Sequence, residues 1–376
     1  MKLAFLLLLF AGQDEPRDAA ELLRPVLRKH DLPGMIGMVV RGDGTILVQG
    51  VAGVRKRGAK AIITVDDLFH VGSCTKSMTA TMIATLVDEG KLKWTTTIGD
   101  VFDDVEMHDD WKSVTLELLL TNRSGAPGDL DKDGLWGKLW GMAGEAPAKQ
   151  RRALVEGVLK NPPACAPGTK YVYSNAGFAI AGAMTEKTTG EAWEDLMRRR
   201  LFEPLGMKSA SFGAPGTKGR IDQPLGHTSK GAPVEPGIGA DNPAAIGPAG
   251  TVCVSFADWA KYVALHVRFD PNGSREAAPG MEKLLESVKP ETLAFLHEPP
   301  KDANPKYAKG WLLCERAWAG GPALTHDGSN TMWYVVAWLA PKRDFAVLVG
   351  VNQGGDKASK AADEAAWALI QSHLKK

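Results

Sequence analysis

Ser73 and Lys76 are the residues from which a reaction is most easily built. They sit in the stretch His70-Val71-Gly72-Ser73-Cys74-Thr75-Lys76-Ser77-Met78, and a spacing of three on a helix places both side chains on one face. A serine hydroxyl is a poor nucleophile until a base takes its proton, and a lysine amine becomes that base when burial lowers its pKa. With Ser73 on the first turn, the positive end of the helix would favour an oxyanion formed there. The pair is a weak signal alone: Ser372 and Lys375 repeat the spacing near the C-terminal end, and short motifs match by chance.

Two further groups of residues could complete such a site. In Tyr173-Ser174-Asn175, alternate side chains point the same way in an extended segment, so a phenol and a carboxamide reach one spot. A phenol near an ammonium can be held partly as phenolate and relay a proton between nucleophile and leaving group, while Asn175 would orient a substrate amide or steady the lysine. A core tyrosine and a helix-capping asparagine account for the same residues without chemistry. In His326-Asp327-Gly328-Ser329, Gly328 permits close backbone approach, so the amide of Ser329 on a strand edge could join the amide of Ser73 as an oxyanion donor. His326 would then contact the leaving group or a substrate carboxylate, and a plain Asp-Gly turn before a strand is the local alternative.

These residues need elements to hold them. Met78, Met82, Ile83, Leu86 and Val87 follow helical spacing and Gly90 supplies a left-handed stop, so a helix is expected from about residue 73 to 89. Upstream, a surface helix over 17–30 precedes strands over 35–40 and 46–51, joined through Gly42-Asp43-Gly44. At the other end, strands are expected over 311–314, 331–340 and 345–351, then a helix over 357–374. Helical periodicity dominates in between, at 115–120, 149–159, 176–188 and 191–202, and 206–250 reads as a Gly/Pro-rich loop with a short hairpin. The fold class is therefore α/β (α+β): an antiparallel sheet assembled from both chain ends, flanked by terminal helices, with a mostly helical insertion.

Composition restricts partners and compartment. A chain of 376 residues has room for a large core and two domains, and a net charge of +1 supplies no field for nucleic acid or anionic membrane. Residues 3–10 are apolar and follow Lys2. The run is too short to cross a bilayer and suits a signal peptide over 1–12, which implies export to a periplasm or the outside. No cysteine lies near it for a lipid anchor. Among the four cysteines, Cys74 is expected to pack as a small apolar residue, and Cys165 and Cys253, read as loop residues, could pair in an oxidising compartment. No cofactor is expected. The eight histidines show no His-Glu-x-x-His, and no serine has glycine two before and two after it, which removes the zincin and α/β-hydrolase classes. Asp129 to Gly134 imitates the start of a calcium loop, but Trp140 stands where a bidentate glutamate belongs.

In order, Ser73-Cys74-Thr75-Lys76, Tyr173-Ser174-Asn175 and His326-Asp327-Gly328 resemble the three motifs of the penicillin-recognising serine hydrolases, in the branch of class C β-lactamases, D-alanyl-D-alanine carboxypeptidases and related esterases. Leu118 to Gly125, Phe202-Glu203-Pro204-Leu205-Gly206-Met207 and Gly250 to Ser255 with Asp258-Trp259 also look familial. The resemblance implies a sheet domain (17–72 and 206–376) and a helical domain (73–205) with Ser73 at the floor of the cleft between them. It implies an acyl-enzyme on Ser73, with Lys76 and Tyr173 handling protons, Asn175 positioning substrate, and the amides of Ser73 and Ser329 holding the oxyanion. Many members carry Lys-Thr-Gly as the third motif. Here a titratable imidazole beside an acid replaces a permanent cation, so a small ester or D-amino-acid peptide is the expected substrate and efficient β-lactam turnover is doubtful. The competing expectations are a class C-like β-lactamase and a non-catalytic member that binds cell-wall peptides or β-lactams. Tyr307, Trp311 and Trp333 are candidates for lining an acyl site.

Overall fold

The run Phe345–Val351 is apolar throughout, the mark of a strand covered on both faces, and all seven of its residues are buried. In the computed structural model, which describes residues 15–268, 280–301 and 303–375, this strand is central to a seven-stranded sheet. The expected signal peptide, 1–12, lies outside the described residues. In chain order the strands are β1 (Arg17–Asp18), β2 (Gly34–Arg41), β3 (Ile46–Gly53), β4 (Leu68–His70), β5 (Ser211–Phe212), β6 (Gly226–His227), β7 (Pro233–Val234), β8 (Val252–Ser255), β9 (Leu312–Arg316), β10 (Gly321–Ser329), β11 (Tyr334–Ala340) and β12 (Phe345–Val351). The main sheet has the order β1-β3-β2-β12-β11-β10-β9. Its pairs are antiparallel except β1 with β3. Both ends of the chain thus meet where β12 pairs with β2, as expected from the apolar runs.

Side chains alternate across this sheet. Met35, Val39, Val347, Val349 and Val351 face helices α1 (Ala20–Lys29) and the C-terminal Asp356–Leu374, whose Leu23, Ala362, Ala365 and Leu369 complete one core. Ile36, Met38, Val40, Ala346 and Leu348 face the other way, into a larger core that continues through α2 (Thr75–Asp88) into the helices that follow it. Helix α2 is buried from Thr75 to Leu86. It therefore passes through that core with Ser73 just before its first residue. Against α4 (Asn175–Thr189), which packs on α2, lies α3 (Pro147–Leu159).

Several expectations need correction. The segment 321–329 is a strand, so His326-Asp327-Gly328-Ser329 lies on β10 and the turn is made by Asn330 to Trp333, where Thr331 takes φ +75°. The strand expected to begin at residue 331 begins at Tyr334. The helix expected over 191–202 is α-helical only at Trp193–Met197 and continues as a π turn over Arg198–Phe202. All four cysteines are free. Cys253 lies buried in the middle of β8, so a strand position took the residue expected in a loop, and no Cys165–Cys253 pair forms.

Candidate active site

Ser73 sits on a 3-10 turn, Gly72–Cys74, that runs directly into α2. Gly72 has φ +48°, a conformation that favours glycine, and a Cβ there would stand 2.3 Å from the amide nitrogen of Ser329. Across the contact, a Cβ on Gly328 would meet the Val71 carbonyl at 2.0 Å and the Ser73 nitrogen at 3.0 Å. Two glycines therefore let β10 press its backbone against the Ser73 turn, which brings the amides of residues 73 and 329 to one place. The Cys74 thiol, buried and pushed well above its ordinary pKa, donates weakly to the His326 carbonyl at 3.5 Å and adds to the same seam.

Lys76 is buried and has three partners: Ser73 Oγ at 3.1 Å, Asn175 Oδ1 at 2.7 Å and the Ala249 carbonyl at 2.9 Å. Burial pulls its pKa down to about 7, against the attraction of the Asp327 carboxylate. A neutral amine has two hydrogens and a lone pair, and two of the three partners are pure acceptors. With its hydrogens on Asn175 and Ala249, the lone pair faces the Ser73 hydroxyl, the geometry of a general base.

Tyr173 and Asn175 do point the same way. Asn175 is the first residue of α4, and the helix is capped by Ser174, whose Oγ accepts from the Gly177 amide at 3.2 Å. That frees the Asn175 carboxamide for Lys76. Tyr173 as a whole residue is 38% exposed, its ring centroid lies 4.7 Å from Lys76 Nζ, and its phenol has Ser73 as a hydrogen-bonding neighbour. Burial raises the phenol above its ordinary pKa, with the Ser73 contact opposing weakly. The partly ionised phenolate expected from the sequence is therefore replaced by a neutral phenol, a proton donor.

His326 projects inward from β10, and its ring centroid is 6.4 Å from that of Tyr173. Its Nδ1 is 2.5 Å from the Asp327 carbonyl, which can only accept, so Nδ1 carries the hydrogen and Nε2 accepts from the Tyr307 hydroxyl at 3.0 Å. Burial, helped by the nearby Lys76 charge, lowers the imidazole to about 4. This ring is neutral near pH 7. Tyr307 is thus a partner of His326, and Trp311 and Trp333 are core residues, each 1% exposed, so the three do not line an open acyl site. The Ser329 hydroxyl donates to the Trp333 carbonyl at 2.6 Å and closes its own hairpin, leaving only the backbone of Ser329 toward Ser73.

Some supporting groups have no mark in the sequence. The Ala249 carbonyl is delivered by the short helix Gly247–Gly250, tied to α2 where Thr79 donates to the Pro248 carbonyl at 2.8 Å. Asn122, at φ +56° after the leucine-rich helix Leu116–Leu120, accepts from the Ser174 amide at 3.1 Å and holds the Tyr173 segment. Behind the Ser73 turn, the buried His70 accepts at Nδ1 from the Gly72 amide at 3.1 Å, and its Nε2 lies 2.8 Å from Asp241 Oδ1, though off the axis of a good hydrogen bond. Asn330 Nδ2 donates to the Ala240 carbonyl at 3.1 Å and lies 3.4 Å from the same Asp241 oxygen. One carboxylate therefore bridges the segments that carry the two oxyanion-type amides. A concavity of about 1470 Å³ bordered by Arg41, Lys208 and Lys261 lies elsewhere and contains none of these residues.

The description of the Beta-lactamase family matches residues 19–372. The chain belongs to the beta-lactamase family. Penicillin-binding protein 4 of Amycolatopsis lactamdurans is 30% identical over 336 residues, covering 87% of this chain and 82% of that protein. The unguisins hydrolase ungD' of Aspergillus campestris is 26% identical over 360 residues, covering 91% of this chain and 62% of that one. The octameric penicillin-binding protein homologue from Pyrococcus abyssi superimposes with a TM-score of 0.71 at 23% identity, over 93% of this chain and 75% of that chain, and so shares the fold. As a beta-lactamase-family member the protein is a hydrolase of the penicillin-binding-protein-like kind.

Proposed function

We propose that this family member is a serine acyl hydrolase that works through a covalent acyl-enzyme on Ser73. The observation that carries the reading is the Lys76 amine, buried, near neutrality, and bonded at once to Ser73, Asn175 and Ala249. Lys76 takes the Ser73 proton as Oγ attacks the substrate carbonyl, and the amides of residues 73 and 329 hold the oxyanion. Collapse expels the leaving group, which takes a proton from the Tyr173 phenol, and the phenol is reprotonated at the expense of Lys76. Water then attacks the acyl-enzyme by the reverse proton path, releasing the acid and restoring Ser73. Asn175 holds the amine and meets the substrate.

The substrate class we propose is a small acyl ester or a D-amino-acid peptide. A neutral His326, locked between the Asp327 carbonyl and the Tyr307 hydroxyl, supports this over a β-lactam, whose carboxylate would lack a cation at the third motif. Export belongs to the same proposal, and N-terminal sequencing of secreted protein tests it. Among the described residues, no helix is long and apolar enough to cross a membrane. For the chemistry, a fluorophosphonate should give one adduct, on Ser73 by mass spectrometry, absent in Ser73→Ala. A protein that never labels would instead be a binding module.

A further inference from the structure

His326 shares the β10 face of Gly328, where a Cβ would stand 3.0 Å from the Ser73 nitrogen, and its ring centroid is 6.4 Å from that of Tyr173. Both ring nitrogens are taken up inside the protein, Nδ1 by the Asp327 carbonyl at 2.5 Å and Nε2 by the Tyr307 hydroxyl at 3.0 Å. Tyr307 is held in this role from two sides. It opens the tight loop 307–312, bridged from Tyr307 to Leu312. A Cβ on Gly310 of that loop (φ +90°) would stand 2.4 Å from the Ser77 nitrogen, so the loop presses on the start of α2. Beside the phenols of Tyr307 and Tyr171 stands the Asn122 carboxamide. Its Oδ1 is taken by the Ser174 amide, so the end left toward the phenols is the buried and otherwise unpartnered Nδ2, a donor. The Tyr307 hydrogen therefore has His326 Nε2 as its acceptor.

We infer that Tyr307 determines the charge selectivity of the site: its hydroxyl occupies the one His326 nitrogen open to a proton, so the ring beside Tyr173 stays uncharged and an anionic leaving group gains no cation there. This rests on the serine acyl hydrolase reading and names a property of its substrate. Protonating Nε2 would turn it from acceptor to donor, and the phenol hydrogen would have to leave toward Asn122 Nδ2, where no acceptor waits. Desolvation of the ring acts in the same sense. The titratable groups around the ring are Tyr307 with Tyr171 behind it, Tyr173, Lys76 on α2, Cys74 on the Ser73 turn, and the Asp327 carboxylate on the opposite face of β10. Across the strand pair stands Ala337 of β11, which is apolar. Because Tyr173 hands its proton to the leaving group and its ring neighbours the His326 ring, the leaving group is the part of the substrate that meets this spot. Taking away the hydroxyl while keeping the ring at residue 307 frees Nε2 and turns the third motif into a cation in mild acid.

Tyr307→Phe tests this, since it keeps the ring contacts with Tyr171 and His326 and removes only the hydroxyl. The first readout is nitrogen-15 NMR of histidine-labelled protein, the His326 signal being the one lost in His326→Gln. In the wild type the ring should be the Nδ1-protonated tautomer and stay neutral from pH 8 down to about 5. In Tyr307→Phe its titration midpoint should rise by about one pH unit, the worth of one hydrogen bond. An Nε2-protonated neutral ring in the wild type, or a midpoint that Tyr307→Phe leaves in place, overturns the inference, and the wild-type result stands even where the variant does not fold. The second readout is kcat/KM for 3-sulfonatophenyl acetate divided by that for the neutral 3-(methylsulfonyl)phenyl acetate. From pH 8 to pH 5 this ratio should rise about fivefold in Tyr307→Phe and less than about twofold in the wild type. Equal changes in the two proteins overturn the selectivity. Hydrolysis of neither ester above Ser73→Ala overturns the hydrolase reading, and the selectivity with it, whatever the tautomer.

Discussion

Lys76 is a lysine whose usefulness depends on what surrounds it. In water its amine would be protonated near pH 7, but with full burial its pKa falls to about 7. The base is the deprotonated form, so kcat/KM for an ester should rise with pH through about 7 and level off above it, the fall on the acid side following loss of free amine. A profile flat from pH 6 to 8 would remove Lys76 from that role. Replacing Lys76 with alanine, or Tyr173 with phenylalanine, should each lower the acylation rate by about a hundredfold or more, read as burst kinetics with a p-nitrophenyl ester. The Tyr173 effect should be on acylation and deacylation alike, since the phenol gives a proton to the leaving group in one and, by the reverse path, its oxygen takes one from the attacking water in the other. Ser73, Lys76, Tyr173 and Asn175 were all legible in the sequence, because the local period of a helix or an extended segment fixes which of their side chains point together. The third partner of Lys76, the Ala249 carbonyl, was not: every residue has a carbonyl, and only packing says which one a distant amine will meet.

At the scale of elements, the contact between the Gly72–Cys74 turn and β10 decides whether two amides converge. A methyl at residue 328 would overlap the Val71 carbonyl and crowd the Ser73 nitrogen. Gly328→Ala should therefore push β10 off the turn and lower kcat by about a hundredfold, the scale of losing an oxyanion donor, with the circular dichroism of the fold retained. The same contact is buttressed by His70 and Asp241. His70→Ala should reduce kcat about tenfold with little change in KM, and His70→Asn, whose Oδ1 can still accept from the Gly72 amide, should recover part of it; equal loss in both would make His70 a packing residue only. The strand β10 itself was missing from the expected strands, because Asp327-Gly328 is also a turn signal locally. What overrides it is pairing: His326 to Ser329 lie opposite Ala337 to Tyr334 on β11.

The whole molecule keeps the helical elements in place around α2 partly through charge. Arg151 on α3 has no exposed side-chain surface and bonds Glu186 on α4 at 2.5 and 3.0 Å, Glu194 at 2.7 and 2.9 Å, and the Ala244 carbonyl at 3.0 Å. Both carboxylates hold the guanidinium charged despite its burial. Arg151→Ala leaves two largely buried carboxylates without a cation and should destabilise the protein by about 3–5 kcal/mol in urea denaturation. Since Ala244 leads into the short helix that carries Ala249, the same variant should weaken the hold on Lys76 and lower kcat in the fraction that remains folded.

Periodicity was enough to determine a sheet made from both chain ends, a helical stretch between them, that the Ser73 hydroxyl faces the Lys76 amine and that the Tyr173 phenol faces the Asn175 carboxamide, while the joining of these two pairs in one site was expected from the order of the motifs. Which groups complete the site, and in what protonation state, was decided by tertiary structure alone. A neutral His326 between Tyr307 and the Asp327 carbonyl, a neutral Tyr173 phenol, and an Asp241 bridging His70 and Asn330 all arise from desolvation and, the Asp327 carbonyl apart, from partners well separated along the chain. No local pattern encodes the loss of water around a group.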